Sequence, residues 1–410
     1  MIVLKNARLF DGWSADCAEG VSVLIEGGTI REVSRSPINS SADVIDIGGR
    51  TLMPGLIDAH FHAYGSHVRL HSMNDCGETY RAAHAVRVLG HALDCGFTTV
   101  RDIGGGDYEL WRTIKDGLIR APRFLYAGKI ITMTGGHGDL RDRHESQHSQ
   151  GYCTCGDVNA MNVIADGVDE CLKAVREQLR RGSHCIKIMG SGGVASPTDP
   201  VWMNQYREDE IRAIVGETAE RRTYTAAHCH PASAIRRSVE FGVRSIEHGT
   251  LMDDATARFV AERGAFVVPT MAIIFALRDS GKRMGLSAES QEKVDSIADQ
   301  ALIGMESMQR AGVRIAFGTD LLGDLYDQQC REFALRSEVF APIDILRQAT
   351  AVNAELLLHK DRLGCVKPGA FADLIVVDGD PLRDIHLLGA DGRNLSFIMR
   401  AGAIVRNRLS

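Results

Sequence analysis

In the segment Pro54-Gly-Leu-Ile-Asp-Ala-His60-Phe-His62, two imidazoles close an apolar run two residues apart. Side chains at i and i+2 of a β-strand leave the same face, so both rings can be aimed at one metal ion. The same punctuation recurs downstream. Lys187 (Cys185-Ile-Lys-Ile-Met-Gly), His228 (Tyr224-Thr-Ala-Ala-His), His248 (Ser245-Ile-Glu-His-Gly-Thr) and Asp320 (Ala316-Phe-Gly-Thr-Asp) each finish a short apolar run. One such histidine is more often a hydrogen-bonded polar group of the packing than a ligand. Six residues of this kind at the ends of successive candidate strands read instead as one metal site built from several strands.

Lys187 is the odd member, because a protonated ammonium has no lone pair to offer a cation. Near cationic metals its proton is lost, and the neutral amine can add carbon dioxide to give a carbamate, an anion whose two oxygens can bridge two ions. The competing reading is a lysine that ends a strand in an ion pair.

These residues need a scaffold that gathers strand ends. Candidate strands cover residues 55–62, 98–102, 123–134, 185–190, 223–228, 245–248, 265–269 and 313–319. Helical patterns lie between them at 168–181, 208–222, 232–241, 254–263, 291–311 and 343–358. Strands alternating with helices in this number predict an α/β fold, a (β/α)8 TIM barrel with its site at the carboxyl ends of the strands. The first fifty residues instead form short β-rich pieces, and the chain end repeats that character at Ala372-Asp-Leu-Ile-Val-Val-Asp, 395–400 and 403–406. The expected organisation is a small β-sandwich domain built from both termini (1–53 plus 359–410) around a barrel at 54–358. Two long connections, 134–167 after the third strand and 270–289 after the seventh, would cross the barrel mouth as substrate-contacting or lid segments.

In that strand order and with β-rich flanks, His60-Phe-His62, Lys187, His228, His248 and Asp320 resemble the amidohydrolase superfamily over nearly the whole chain. Within it, Thr132-Met-Thr-Gly-Gly-His-Gly, Lys187-Ile-Met-Gly-Ser-Gly-Gly-Val-Ala-Ser-Pro, Ile246-Glu-His-Gly-Thr and Phe317-Gly-Thr-Asp-Leu-Leu-Gly look like the branch of bacterial Xaa-Pro dipeptidases (prolidases) and related metallocarboxypeptidases. The resemblance implies two zinc or other divalent ions. His60, His62 and Asp320 would hold the first, His228 and His248 the second, and carboxylated Lys187 would bridge them. The ions would share a hydroxide and polarise the scissile carbonyl, while Asp320 accepts its proton and delivers it to the departing nitrogen.

His137, after two glycines, could donate to a developing oxyanion or to a substrate carboxylate. His230 leaves the same strand face as His228. Related dipeptidases often carry tyrosine there, so His230 departs from the pattern and bears on substrate preference. The other histidines (67, 71, 84, 91, 144, 148, 184, 359 and 386) read as ordinary surface or helix residues, and Arg141 and Arg143 as solvated loop charges. Cys153 and Cys155 form a C-x-C pair without a second pair, which does not favour a structural zinc. Cys171, Cys185 and Cys229 read as buried thiols of a reducing compartment.

Composition narrows the rest. A net charge of -6 over 410 residues gives no basic footprint for nucleic acid. No run approaches the roughly 18 apolar residues of a membrane span, and the amino terminus lacks a signal-peptide layout, so a cytoplasmic protein is expected. The expectation is a binuclear zinc amide hydrolase cleaving dipeptides, Xaa-Pro first, or N-acyl amino acids, with a homo-oligomeric state carried over from the resemblance. The same ligands could serve other amides, ureas, carbamates, lactones or phosphotriesters. A mononuclear deaminase needs no bridging lysine, and a non-catalytic assembly protein of this fold would typically have lost several ligands.

Overall fold

The computed structural model describes residues 1–69, 72, 76–141, 161–194, 196 and 199–409. Cys153, Cys155, Arg143, His71, His144 and His148 lie outside the described residues.

Strands from both ends of the chain share one eight-stranded sheet. Five come from the amino-terminal side (Ile2–Leu9, Ala18–Glu26, Thr29–Ser34, Asp43–Asp46, Thr51–Pro54) and three from the carboxyl-terminal side (Leu374–Val377, Leu395–Arg400, Ala403–Asn407). The seam is Thr51–Pro54 antiparallel to Leu374–Val377. Alternating apolar residues of these strands (Leu4, Val23, Ile25, Leu52, Val376, Phe397) bury a core of their own.

The middle of the chain is α/β. Leu56–Phe61, Phe97–Asp102 and Arg123–Tyr126 make a parallel three-stranded sheet. Asn162–Ile164, Ile130–Thr132, Ile186–Met189, Thr225–Pro231, Ser245–Leu251, Phe266–Val268 and Arg314–Ile315 make a parallel seven-stranded one in that order. Backbone N–H groups of Ala59 and Asp320 donate to the carbonyls of Phe317 and His60 at 2.9 and 2.8 Å, and that of His184 donates to Tyr126 at 2.8 Å. Near-continuous burial of these strands is what parallel sheets covered by helices require.

The expected strand 123–134 is two strands, Arg123–Tyr126 and Ile130–Thr132. Gly128 turns the chain between them at φ +76°, and a Cβ there would sit 2.4 Å from Gln178 Oε1, which instead accepts the Lys129 N–H. The expected strand 313–319 keeps regular pairing only at Arg314–Ile315, and the chain then runs irregularly to Asp320.

The connection 270–289 is not a loop throughout. Met271–Ser280 is a helix whose first six residues, Met271 to Ala276, are all buried. Helices Glu78–Asp94, Tyr108–Lys115 and Arg331–Ser337 also lie outside the expected set. Tyr108–Lys115 begins at an Asp107 cap that accepts the Leu110 N–H, a local signal in the sequence.

Two buried arginines pin strand ends. Arg336 donates to Glu332, Gln348 and the carbonyls of Pro269 and Ala316. It thereby fixes the segments that precede the helix Met271–Ser280 and Asp320. Arg101 donates to the Ala59 carbonyl and to both oxygens of Glu247 at 2.9 Å. Each guanidinium has acceptors for its buried donors, which is the condition for keeping a charge out of water.

Candidate metal centre and cavity

All six strand-end candidates, with His137 and His230, line one cavity. Nε2 of His60 and of His62 lie 3.2 and 3.0 Å from the same Asp320 oxygen, Oδ1, while Oδ2 is 3.9 Å from His248 Nδ1. His60, His62 and Asp320 offer three ligand atoms within 4.8 Å of one another.

The outer nitrogens are already engaged. His62 Nδ1 faces the Gly104 carbonyl at 2.9 Å, and a carbonyl accepts only, so Nδ1 carries the proton there. Burial would lower the His62 pKa, but the Asp320 carboxylate outweighs it and raises it, so Nε2 either donates a proton to Oδ1 or gives that proton up to ligate a divalent ion in its place. His60 Nδ1 is held by Glu247 at 2.8 Å in the same sense. This outer carboxylate and carbonyl pattern is the one that orients metal-ligating histidines, and the donor set fits a divalent ion.

On the far side, His228 and His248 rings are 4.6 Å apart and His60 and His248 rings 5.0 Å. His248 Nδ1 meets Thr270 Oγ1 at 2.8 Å, which leaves Nε2 for a ligand. Lys187 is buried among these rings. Burial lowers its pKa against the opposing fields of Glu247 and Asp320, which favours the neutral amine that carbamate formation requires. Burial also lowers His228, followed by the neighbouring His137, His248 and His230 rings, and it lowers His248 likewise, so both are neutral. Burial would raise Asp320, but His60 and His62 outweigh it and keep the carboxylate ionised well below the usual range.

The backbone carries strain where the ligands sit. His248 and Asp320 have φ of +73° and +57°, a left-handed conformation that residues other than glycine seldom adopt. Such strain costs about 1–3 kcal/mol per residue and concentrates at functional sites.

His137 packs its ring on His228 at 4.4 Å, with Nδ1 2.9 Å from Ser196 Oγ and 3.2 Å from Asp199 Oδ2. Gly193 makes room for it, since a Cβ there would come within 2.3 Å of the imidazole. His230 Nδ1 meets Thr250 Oγ1 at 3.1 Å, and burial lowers its pKa to about 3. Arg141 turns onto Asp139, with Nε 2.7 Å from Oδ1.

Several supporting residues were not anticipated from sequence. Glu247 joins His60 to Arg101; burial would raise its carboxyl, but the guanidinium and the imidazole hold it below the usual range. Asp58 accepts from His60 N, Thr319 Oγ1 and Gln329 Nε2. Asp102 accepts the N–H groups of Ala63, Gly104 and Gly106, and burial raises it to about 6. Two of these had a signal, because Asp58 shares the i, i+2 face with His60 and Glu247 adjoins His248. Of the histidines read as ordinary surface or helix residues, His84 does lie on a helix, Glu78–Asp94, and His184 is half-buried. His84 is buried with Nδ1 on the Ala63 carbonyl, and His184 Nδ1 accepts the Tyr126 N–H, with burial lowering its pKa to about 4.

The cavity has a volume of about 120 Å³. Beside the polar floor the lining is apolar, with Ile130, Leu140, Met161, Met189, Val194, Ile273, Ile274, Leu277, Val294 and Ile297. No arginine or glutamate is among the lining residues described.

A family model for the amidohydrolase family matches residues 51–405. The ochratoxinase of Aspergillus niger is 32% identical over 351 residues, which are 82% of this chain and 72% of that protein. Among solved structures, an amidohydrolase matches at 45% identity with a TM-score of 0.97 and covers 100% of both chains. A prolidase complexed with N-methylphosphonate-L-proline matches at 40% identity and a TM-score of 0.95, with 99% of each chain covered.

Proposed function

The chain belongs to the amidohydrolase family and is a hydrolytic enzyme, and from that premise we propose that it cleaves the amide of a dipeptide, Xaa-Pro first, or of an N-acyl amino acid. The observation that carries this reading is the cavity itself, with His60, His62, Lys187, His228, His248 and Asp320 on its floor and apolar walls beside them. The solved prolidase at 40% identity supports the prolyl preference.

Two divalent ions, zinc in the first instance, bound by His60, His62 and Asp320, by His228 and His248, and by carboxylated Lys187 between them, would supply a Lewis acid and a water acidic enough to attack at neutral pH. Asp320 takes the proton of the attacking water and passes it to the departing nitrogen. Its placement between His60, His62 and His248 keeps it ionised until that moment. A prolyl nitrogen cannot leave as a free anion, so this protonation is what completes the cleavage. His137, braced by Asp199 and Ser196, and His230, braced by Thr250, are the polar groups left to position the substrate's carbonyl or carboxylate. The walls take the acyl side chain and exclude water.

A bulky apolar amide is the second reading. It is favoured by the apolar helix face at Ile273, Ile274 and Leu277, by His230, and by the ochratoxinase relative. For the scaffold we carry forward a closed (β/α)8 barrel at 54–358, with a β-sandwich composed of 1–53 and 359–410, in a homo-oligomeric cytoplasmic enzyme. No described helix is long and apolar enough to cross a membrane.

The test is amino-acid release by the metal-loaded protein from Xaa-Pro, Xaa-Arg and Xaa-Phe dipeptides and from N-acyl amino acids. Selective release of proline supports the first reading. Release only from large N-acyl substrates transfers the assignment to the second, and silence across the whole panel rejects both.

A further inference from the structure

We propose that His91, Cys95, Cys330 and Asp391 form a structural zinc site separate from the cavity. None of the four lines the cavity. Sγ of Cys95, Sγ of Cys330 and a carboxylate oxygen of Asp391 all lie within 4.8 Å of one another. Nε2 of His91 stands 3.5 Å from Cys95 Sγ. Two sulfurs and one oxygen thus converge, and the His91 imidazole, against one of the sulfurs, is the fourth donor that must swing inward to complete the set a closed tetrahedral zinc site uses.

The donors come from three separate parts of the chain. His91 and Cys95 are i and i+4 at the carboxyl end of the helix Glu78–Asp94, a spacing that places them on one face. Cys330 caps the start of the helix Arg331–Ser337. Asp391 lies in the turn before the strand Leu395–Arg400 of the terminal sheet. Zinc–ligand bonds of about 2.0–2.3 Å place tetrahedral ligand atoms roughly 3.3–3.8 Å apart, so side-chain rotation closes the remaining gap.

The turn is built to stay where it is. Asp391 has φ +51°, and a Cβ on the following Gly392 would fall 2.0 Å from the Asp94 carbonyl oxygen. Arg406 fastens the same turn, with 2.8 Å bonds to the Gly392 carbonyl and to Asp94. Both thiols are buried, and Asp391 is the exposed member through which an ion can enter. Two thiols in simple packing contact would need neither the imidazole nor the carboxylate, and a disulfide would leave both without a role.

Zinc bound here displaces the two thiol protons and ties the terminal sheet to the helix Glu78–Asp94 and to the segment around Gln329. Gln329 donates to Asp58, which in turn holds the His60 backbone. The staple therefore reaches the back of the metal centre without belonging to it.

Cobalt reconstitution tests this independently of the catalytic reading, because no cysteine is among the candidate ligands of the cavity. Metal-free protein reloaded with Co²⁺ should show thiolate-to-cobalt charge-transfer absorption. The Cys95→Ser/Cys330→Ser variant should lack the band and bind one metal equivalent fewer, while His60→Ala/His62→Ala should keep it. Asp391→Ala, at an exposed position that leaves the core intact, should weaken zinc binding at this site about tenfold or more. The proposal is overturned by folded wild-type protein without the band, by equal metal content in wild type and the cysteine variant, or by a mass two hydrogens lower with both thiols untitratable, which makes the pair a disulfide.

Discussion

The floor and the walls of the cavity obey different rules. On the floor four imidazoles are fixed from behind, His60 by Glu247, His62 by Gly104, His248 by Thr270 and His230 by Thr250, while His228 Nε2 lies 3.4 Å from the Gly192 carbonyl. The walls are apolar side chains drawn from two strands (Ile130, Met189), from loops, and from the helices Met271–Ser280 and Ala288–Ala311. Floor positions are dictated by the chemistry, and wall positions only by volume and by exclusion of water. The contrast predicts that floor substitutions act on turnover and metal, whereas wall substitutions act on which substrate is held.

The largest effect belongs to the floor. Asp320→Asn should keep its metal and lower kcat about a thousandfold, as expected for loss of a proton carrier; near-normal turnover would remove Asp320 from that role. Lys187→Ala should lose about a hundredfold in activity and metal retention. Formate or acetate should restore part of it by standing in for the carbamate, and an indifferent response would point to a lysine that acts by other means.

One layer further out, Glu247→Gln should weaken metal binding about ten- to a hundredfold. It should also lower stability by roughly 3–5 kcal/mol, because Arg101 is left as an unpaired buried charge. Isothermal titration and thermal melts read the two effects separately. On the walls, Ile274→Ala should raise KM for substrates with large apolar acyl groups about tenfold and leave kcat in place. A fall in kcat alone would erase the distinction between wall and floor.

The smallest effect lies in neither region. His184 has a pKa of about 4 against an ordinary value of 6.5, so above pH 6.5 both the folded and unfolded forms are neutral. As the pH drops below that, the unfolded chain takes up a proton that the folded one refuses until about pH 4, and stability falls across that window. The loss is on the order of 1–3 kcal/mol. His184→Asn should flatten this part of the stability curve without altering catalysis.

The same contrast explains what could be read from the chain. His60, His62, Lys187, His228, His248 and Asp320 stood out because ligand chemistry demands particular residue types at strand ends, and the structure gathers all six around one cavity. Their supports were harder to see. Arg101 and Glu247 meet only through the fold, 146 residues apart in sequence. The wall helix was illegible for the opposite reason: Met271 to Ala276 are buried on every side, so no polar face marks a period of 3.6 residues. The break at Gly128 in the expected strand 123–134 likewise depends on Gln178, which belongs to a later helix.

The central claim is a two-ion centre on this floor, and the measurement that meets it most directly is a metal titration of the metal-free enzyme followed by amino-acid release. It is best done in the Cys95→Ser/Cys330→Ser background, where the cavity alone is filled. Activity should climb until two equivalents are bound and then level off, with Asp320→Asn binding the same two and remaining almost inactive. Full activity at one equivalent, or with none, would contradict the account.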